Sequence, residues 1–403
     1  MIQQKTIQLV IDTQREQISH RGIGMERDAL SRMDVVPNFA TIVSGIRRCG
    51  KSVLLTQIMK KTNMRSLFLN FDDPRLAGFE MQDFRLVDNI ITGNKYEALF
   101  FDEMQVIQGW ELYIRQKLDE GFIVYVTGSS ATLLSRKLGT KLTGRHITKE
   151  LFPFSYTEFL SFNKLINSEL SFRKYFKTGG FPEFLKTKNT DILFTLFSDV
   201  LLRDVVVRHG IRDVTSLNRL AVYLVTNVGN LVTASKLQKS LGIKTSTMLE
   251  YFSFLEDAYL FSFVPRFRYS YKAQLINPRK IYVIDPGIIE VVSASFTNDY
   301  GKQLENIVYL HFRRSNDNDI YYFNENGHEC DFVVMNKGEC KQVVQVCWEL
   351  TPENVNREQQ GLKKAMDFFK TKNGCIITYN QADAYMQNGQ MIEVIPAWKF
   401  ING

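Results

Sequence analysis

The stretch Gly45-Ile46-Arg47-Arg48-Cys49-Gly50-Lys51-Ser52 constrains this chain more than any other, because two glycines, a lysine and a hydroxyl stand at the spacing of a polyphosphate cradle. The glycines let the backbone curl until successive N–H groups point into one concavity. Lys51 then reaches the β and γ phosphates and Ser52 ligates Mg²⁺. Before the string, residues 39–44 (FATIVS) read as a short buried strand, and from Lys51 to Met59 the residues favour a helix. The string therefore sits at a strand-to-helix turn, where the unpaired amides of the helix start add to the attraction for phosphate. Gly45, Ile46, Arg47, Arg48, Cys49, Gly50, Lys51, Ser52 and Val53 are the expected nucleotide-binding residues, with ATP or ADP and Mg²⁺ as the ligands.

Three more strands follow, over 66–70 (SLFLN), 98–102 (ALFFD) and 122–127 (FIVYVT). Asp102-Glu103 closes the second of them. In that context Asp102 is expected to hold Mg²⁺ through water and Glu103 to polarise the water that attacks the γ phosphate. Thr127-Gly128-Ser129-Ser130 follows the last strand, and Ser129 either senses the γ phosphate or caps a helix through Ala131 to Leu134, roles that can coexist.

With 403 residues, 44% of them apolar, the chain has material for several cores. Lys and Arg outnumber Asp and Glu by only 50 to 43, so overall charge does not by itself demand a nucleic-acid partner. No stretch reaches the roughly 20 apolar residues of a membrane span, and the five cysteines show no paired C-x-x-C spacing. The expectation is a soluble, cytoplasmic protein with reduced thiols and no membrane partner.

These segments, together with Leu142-Thr143-Gly144-Arg145, Leu151-Phe152-Pro153-Phe154-Ser155 and Gly179-Gly180-Phe181-Pro182-Glu183, resemble the prokaryotic AAA-type ATPases of unknown function, within the AAA+ superfamily. The resemblance implies an α/β fold: a P-loop NTPase parallel sheet of five strands flanked by helices (1–150), a helical lid (151–215), a winged helix (216–268) and a small α/β restriction-nuclease-like domain (269–403). Arg145 is the arginine expected at the γ phosphate, from its own subunit or a neighbour, because an arginine finger needs a fixed, always-charged fork. The alternative is a surface arginine in a basic stretch with Arg136, Lys137, Lys141 and Lys149, and Arg203, Arg208 and Arg212 compete for the finger role.

Helical patterns over 233–241 and 245–260 around Gly242 have helix-turn-helix spacing, which would expose Lys244, Thr245, Ser246 and Thr247 to a DNA groove. Glu250, Glu256 and Asp257 oppose that use, and packing against the lid is the other role. Between Asp257 and Asp285 no acid occurs, while Arg266, Arg268, Lys272, Arg279 and Lys280 interleave with Phe267, Tyr269 and Tyr271. Such a pattern suits phosphates and exposed bases, or else a β-wing with a solvated basic face and a buried aromatic one.

In the nuclease-like domain, Glu305, Asp331 and the strand over 342–348 take the places of the acidic residues and the E-x-K triplet implied by the resemblance. The triplet reads Gln345-Val346-Cys347. An amide brings no charge to a Mg²⁺ site and a thiol does not suit a hard metal, so the site reads as degenerate. The expected function is an ATPase switch acting on DNA or RNA. An ATP-dependent regulator that presents a protein-binding surface is the alternative, an active metal-dependent nuclease a third reading, and a homo-oligomer or protein partner stays open.

Overall fold

The computed structural model describes residues 2–129, 142, 144–295, 299–315, 318–387 and 389–402. They form two units, 1–152 and 153–403.

In the first unit, apolar strands alternate with helices: α1 (Gln4–Arg21), β1 (Ala40–Ser44), α2 (Lys51–Thr62), β2 (Ser66–Asn70), α3 (Phe84–Asn94), β3 (Ala98–Asp102), α4 (Trp110–Asp119), β4 (Ile123–Gly128) and β5 (His146–Glu150). The strands pair in parallel in the order β2-β3-β4-β1-β5. Every residue of β1 and β3 is buried, as continuous apolar runs must be when helices cover both faces of a parallel sheet. Ile42, Leu69, Phe101 and Val126 share one core with Phe84 and Tyr113, whose rings stack at 3.8 Å. This order has a chemical consequence. With β4 between β1 and β3, the chain segments leaving the carboxyl ends of all three strands converge on one edge of the sheet, where ligands of such folds bind.

The second unit opens with α5 (Tyr156–Asn163), whose first turn is closed by a capping box between Ser155 and Glu158. Helices α6 (Glu169–Thr178), α7 (Pro182–Thr187) and α8 (Asp191–Asp199) follow, and α8 runs into a π-helical stretch over Val200–Val207. Then come α9 (Val214–Thr226), β6 (Leu231–Val232), α10 (Ala234–Leu241) and α11 (Thr245–Asp257). Gly242, at φ +72°, ends α10 as the expected turn.

Strands β7 (Phe261–Pro265) and β8 (Arg279–Val283), with a short helix α12 (Tyr271–Ile276) between them, join β6 in an antiparallel sheet ordered β6-β8-β7. A domain boundary between 268 and 269 would cut this sheet, because β7 and β8 pair from Phe261↔Val283 to Pro265↔Arg279. The sheet therefore runs past the expected boundary to Val283.

Beyond α13 (Pro286–Val292) and α14 (Tyr300–Arg313), a six-stranded mixed sheet forms from β9 (Asp319–Glu325), β10 (His328–Asn336), β11 (Glu339–Val346), β12 (Asn373–Thr378), β13 (Asp383–Gln387) and β14 (Gln390–Pro396), in the order β13-β14-β12-β11-β10-β9. Helix α15 (Val355–Phe369) is the crossover that the parallel pair β11–β12 requires. It lies tight on β10: a Cβ at Gly361 would fall 2.0 Å from the Glu329 carbonyl oxygen. Glycine at that position lets α15 bring Glu358 to Gln345.

Candidate functional site

At the end of β1 the chain turns through Gly45 at φ +154°, where a Cβ would sit 2.1 Å from the Leu151 carbonyl oxygen. Arg48 and Gly50 then take left-handed conformations, at φ +63° and +104°, and curl the loop before α2 begins at Lys51. Lys51 is only 4% exposed. Its ammonium donates to the carbonyls of Gly45 (3.0 Å) and Ile46 (3.1 Å) and lies 3.9 Å from Glu103 Oε1. Beneath the loop, buried Arg27 donates from Nη1 to the Cys49 carbonyl (2.7 Å) and from Nη2 to the Phe152 carbonyl (2.8 Å). Gln57 in α2 accepts from the Arg27 backbone N–H, which ties the helix to the same brace. Burial pushes the Cys49 thiol above its ordinary range, against Lys51 and Arg27.

The end of β3 supplies two acids with different environments. Asp102 is fully buried; its Oδ1 accepts from the Thr127 hydroxyl, and its Oδ2 has no hydrogen-bond partner among the described residues. Burial, helped by nearby Glu103, pushes Asp102 up to about 6, with Ser52, Thr127 and Lys51 pulling the other way. Glu103 adopts a left-handed backbone, at φ +53°, that a non-glycine residue holds only when its surroundings enforce it. Its amide donates to Thr127 Oγ1 (3.1 Å), and its Oε2 accepts from Ser129 Oγ (3.2 Å) and from Gln105 Nε2. Burial raises Glu103 but Lys51, Gln105 and Arg47 outweigh it, so the group stays below the usual glutamate range. A cavity of about 290 Å³ opens beside Ser52, Val53, Asn70, Asp73 and Asp102.

In the second unit, Glu305 on α14 and Asp331 on β10 share one partner, and Asp331 reaches the end of β11 through the Val346 amide. The centre also holds a residue assigned elsewhere by sequence. Lys280 on β8 is 1% exposed, and its ammonium lies 3.0 Å from Glu305 Oε1, 2.7 Å from Glu329 Oε1 and 2.6 Å from Asp331 Oδ1. Gln345 Oε1 accepts from the Asp331 amide (3.2 Å), and its Nε2 donates to Glu358 Oε2 (2.7 Å). Cys347 donates to the Glu349 carbonyl (3.0 Å), and burial, then Glu358, pushes its thiol up to about 11. An open cavity of about 500 Å³ reaches Lys302, Glu305, Asp331, Gln345, Cys347 and Arg357.

A family model described as an AAA domain matches residues 37–160, the segment that holds the loop, Asp102, Glu103 and Ser129, and one described as a domain of unknown function (DUF8612) matches residues 169–299. An uncharacterized protein of Methanocaldococcus jannaschii is 32% identical over 398 residues, covering 91% of this chain and 89% of that protein. The chain belongs to that protein's family. A Haemophilus influenzae relative, also uncharacterized, is 31% identical over 359 residues, 83% of this chain and 88% of its own. Among solved structures, AMPPCP-bound DnaA from Aquifex aeolicus matches 64% of this chain and 89% of its own at 15% identity and a TM-score of 0.26, a likeness too loose to carry an argument. The class of activity that goes with an AAA domain is nucleotide-driven ATP hydrolysis.

Within the segment that matches the AAA domain, the structure brings Lys51, Glu103, Ser129 and Asp102 to one edge of the sheet, with Ser52 beside Asp102. Arg145 is elsewhere. It precedes β5, whose His146 pairs opposite Ala40 at the start of β1, whereas the loop leaves the far end of β1; five strand residues separate the two levels by about 16 Å. Its guanidinium is bound to Asp119 at 2.8 Å, so a finger role within its own subunit is corrected. Arg208 pairs with Asp204 at 3.7 Å. Ser130, the helix expected through Leu134, Arg136, Lys137, Lys141 and Thr143 lie outside the described residues.

The basic aromatic segment also needs correction. Lys280 is no phosphate contact, because its charge is spent on three carboxylates inside the protein. Phe267 is buried, with its ring 4.7 Å from that of Phe369, and offers no face to a base. Tyr269, Tyr271 and Lys272 are exposed, while Arg266, Arg268 and Arg279 are half-buried. Residues that sequence reasoning missed are Arg27, Gln105, Glu329, Lys302 and Glu358. Arg27 carries no local motif, and only the fold places it under the loop.

Proposed function

We propose that this chain is a Mg-ATP-dependent switch that acts on nucleic acid, and that its nuclease-like domain does not cleave. The observation that carries the nucleotide part is the free oxygen of Asp102. A buried carboxylate with an unpartnered oxygen is costly unless a cation answers it, and the neighbouring hydroxyl of Ser52 completes a donor set of hard oxygens suited to Mg²⁺. Ser52 and Asp102 would hold the ion, which supplies charge neutralisation for the β and γ phosphates. The loop amides from Ile46 to Ser52 bind the phosphates, and Lys51 exchanges its two carbonyl partners for phosphate oxygens.

Glu103, kept ionised, orients the attacking water and takes its proton, and Ser129 holds the Glu103 carboxylate in place. With Arg145 at the opposite end of its own sheet, a finger arginine would come from elsewhere, a neighbouring subunit's Arg145 included. Support for the nucleic-acid part comes from the exposed Tyr269, Tyr271 and Lys272 beside Arg266, Arg268 and Arg279, and from α10 and α11 meeting at Gly242 next to the β6-β8-β7 sheet, an arrangement that suits a winged helix. The helices over 156–207 suit a lid.

Measuring ATP turnover with and without duplex DNA, single-stranded DNA and RNA tests the reading. Stimulation that falls steeply with salt and weakens when Arg266, Arg268 and Lys272 are neutralised is the expected result. Turnover that ignores every nucleic acid at low salt would instead favour a regulator that presents a protein-binding surface.

A further inference from the structure

An ammonium group has three N–H donors and no acceptor. In Lys280 all three are matched: Glu305, Glu329 and Asp331 each place one carboxylate oxygen 2.6–3.0 Å from Nζ, on a side chain that is almost wholly buried. The remaining oxygens of the two buried acids are also answered. Glu305 accepts from Tyr282 at Oε1 (2.7 Å) and from Lys302 at Oε2 (2.7 Å), and Asp331 Oδ2 accepts from the Val346 amide (2.9 Å). Gln345, which stands where a third metal-binding acid would be expected, turns both ends of its amide to the protein. Two lysines thus bring two positive charges to three carboxylates.

We propose that Lys280, assisted by Lys302, is the resident cation of this centre: its ammonium fills the place of a divalent ion, so that the nuclease-like domain is closed to metal by a side chain from β8. The inference rests on the reading of this domain as nuclease-like and gives that reading a cause beyond the loss of the acidic triplet. The electrostatics agree with this geometry. Burial opposes charge on Lys280, yet the contacts with Asp331, Glu305 and Glu329 raise its pKa above the ordinary lysine range. Asp331 is kept below the usual aspartate range because Lys280 and Lys302 outweigh the effect of its burial.

The arrangement also does structural work. β8 belongs to the three-stranded sheet, whereas Glu305 and Asp331 belong to α14 and the six-stranded sheet, so Lys280 pins one sheet to the other within the second unit. Tyr282, two residues along the same strand, adds its hydroxyl bond to Glu305 and stacks on Tyr309 at 4.3 Å.

The test is a Mn²⁺ titration followed by electron paramagnetic resonance on the full chain, in an Asp102→Asn background that removes the nucleotide-site ion. No bound Mn²⁺ is expected in that background. Adding Lys280→Ala should create one Mn²⁺ site per chain, and adding Asp331→Asn to that variant should abolish it. If Lys280→Ala is folded and binds no Mn²⁺, or if the Asp102→Asn background binds Mn²⁺ that is lost with Asp331→Asn, the proposal is overturned. Should Lys280→Ala not fold, the near-isosteric Lys280→Met and the background arm, which needs no change at Lys280, decide the matter. A plasmid-nicking assay on the Asp102→Asn background separates the two levels: Mn²⁺ bound there and lost with Asp331→Asn, without nicking, sinks the Lys280 assignment alone, and nicking lost with the same substitution sinks the non-cleaving reading with it.

Discussion

Lys51 and Lys280 are both buried beside carboxylates, and they are in opposite conditions. Lys51 rests on two carbonyl oxygens, 3.9 Å from Glu103, beside an Asp102 whose second oxygen has no partner. Lys280 touches three carboxylates, and the two buried acids around it have partners on every oxygen. Burial of a polar group is costly only where its bonds go unmade, so the first centre holds unspent binding capacity and the second has none. A site built for a ligand differs from a site built for structure less in its residue types than in what is left unsatisfied.

The sharpest way to break this comparison is to delete each lysine. Lys51→Ala should lower ATP turnover by about a thousandfold or more, because it removes a charge that acts on the transferring phosphoryl group. A steady-state ATPase assay reads this, and turnover near wild type would remove the basis of the comparison. Lys280→Ala should leave turnover almost unchanged but destabilise the second unit by about 3–5 kcal/mol, the usual cost of leaving buried charges uncompensated. Denaturant unfolding measures it, and a stability equal to that of the wild type would mean that the three acids do not depend on the ammonium.

Asp102 sharpens the contrast through pH. Its folded pKa of about 6 lies above the ordinary aspartate value of 3.8, so the folded state binds the proton more tightly than the unfolded chain does. Its cost to ligand-free stability is absent below about pH 4, grows as pH rises towards 6, and is complete above it, at roughly 3 kcal/mol for about two units. Asp102→Asn should therefore stabilise the ligand-free protein at pH 8 and change little at pH 4, while abolishing any stabilisation by Mg-ATP. Melting curves at the two pH values check the sign, and a variant that is stabilised equally at both would contradict the assignment. The smallest effect belongs to Arg145. Arg145→Ala removes a partly exposed ion pair with Asp119, far along the sheet from the loop, and for a monomeric enzyme turnover should stay within about twofold of wild type. A loss of a hundredfold or more would instead place this arginine at a neighbouring subunit's nucleotide.

Much of the first centre was legible in the sequence because its chemistry is local. The loop residues are contiguous, Asp102 and Glu103 end an apolar run, and Ser129 ends the next, so strand periodicity alone brings them to one sheet edge. Arg27 was not legible. It acts through backbone carbonyls at Cys49 and Phe152, and no residue pattern marks a donor whose acceptors are main-chain atoms far along the chain. Arg145 misled for a related reason: the sequence places it after the sensor region, but the direction of β5 decides which end of the sheet it occupies.

The second centre was only half legible. Glu305, Asp331 and Gln345 were placed through the resemblance to a nuclease-like domain, and the fold brings them together around Lys280 and the Asp331 backbone. Lys280 sat in a run free of acids between Asp257 and Asp285 and therefore read as a surface cation. Its acids come from α14 and β10, and a one-dimensional charge pattern cannot show pairing between sheets. Alternation on β8 held the clue, since Lys280 and Tyr282 share a face and both are buried.

The most direct measurement counts Mn²⁺ per chain in the presence of a non-hydrolysable ATP analogue. The account predicts one ion per wild-type chain, dependent on the analogue, lost with Asp102→Asn and retained with Asp331→Asn. Two ions per chain, or one that survives Asp102→Asn and disappears with Asp331→Asn, would contradict it.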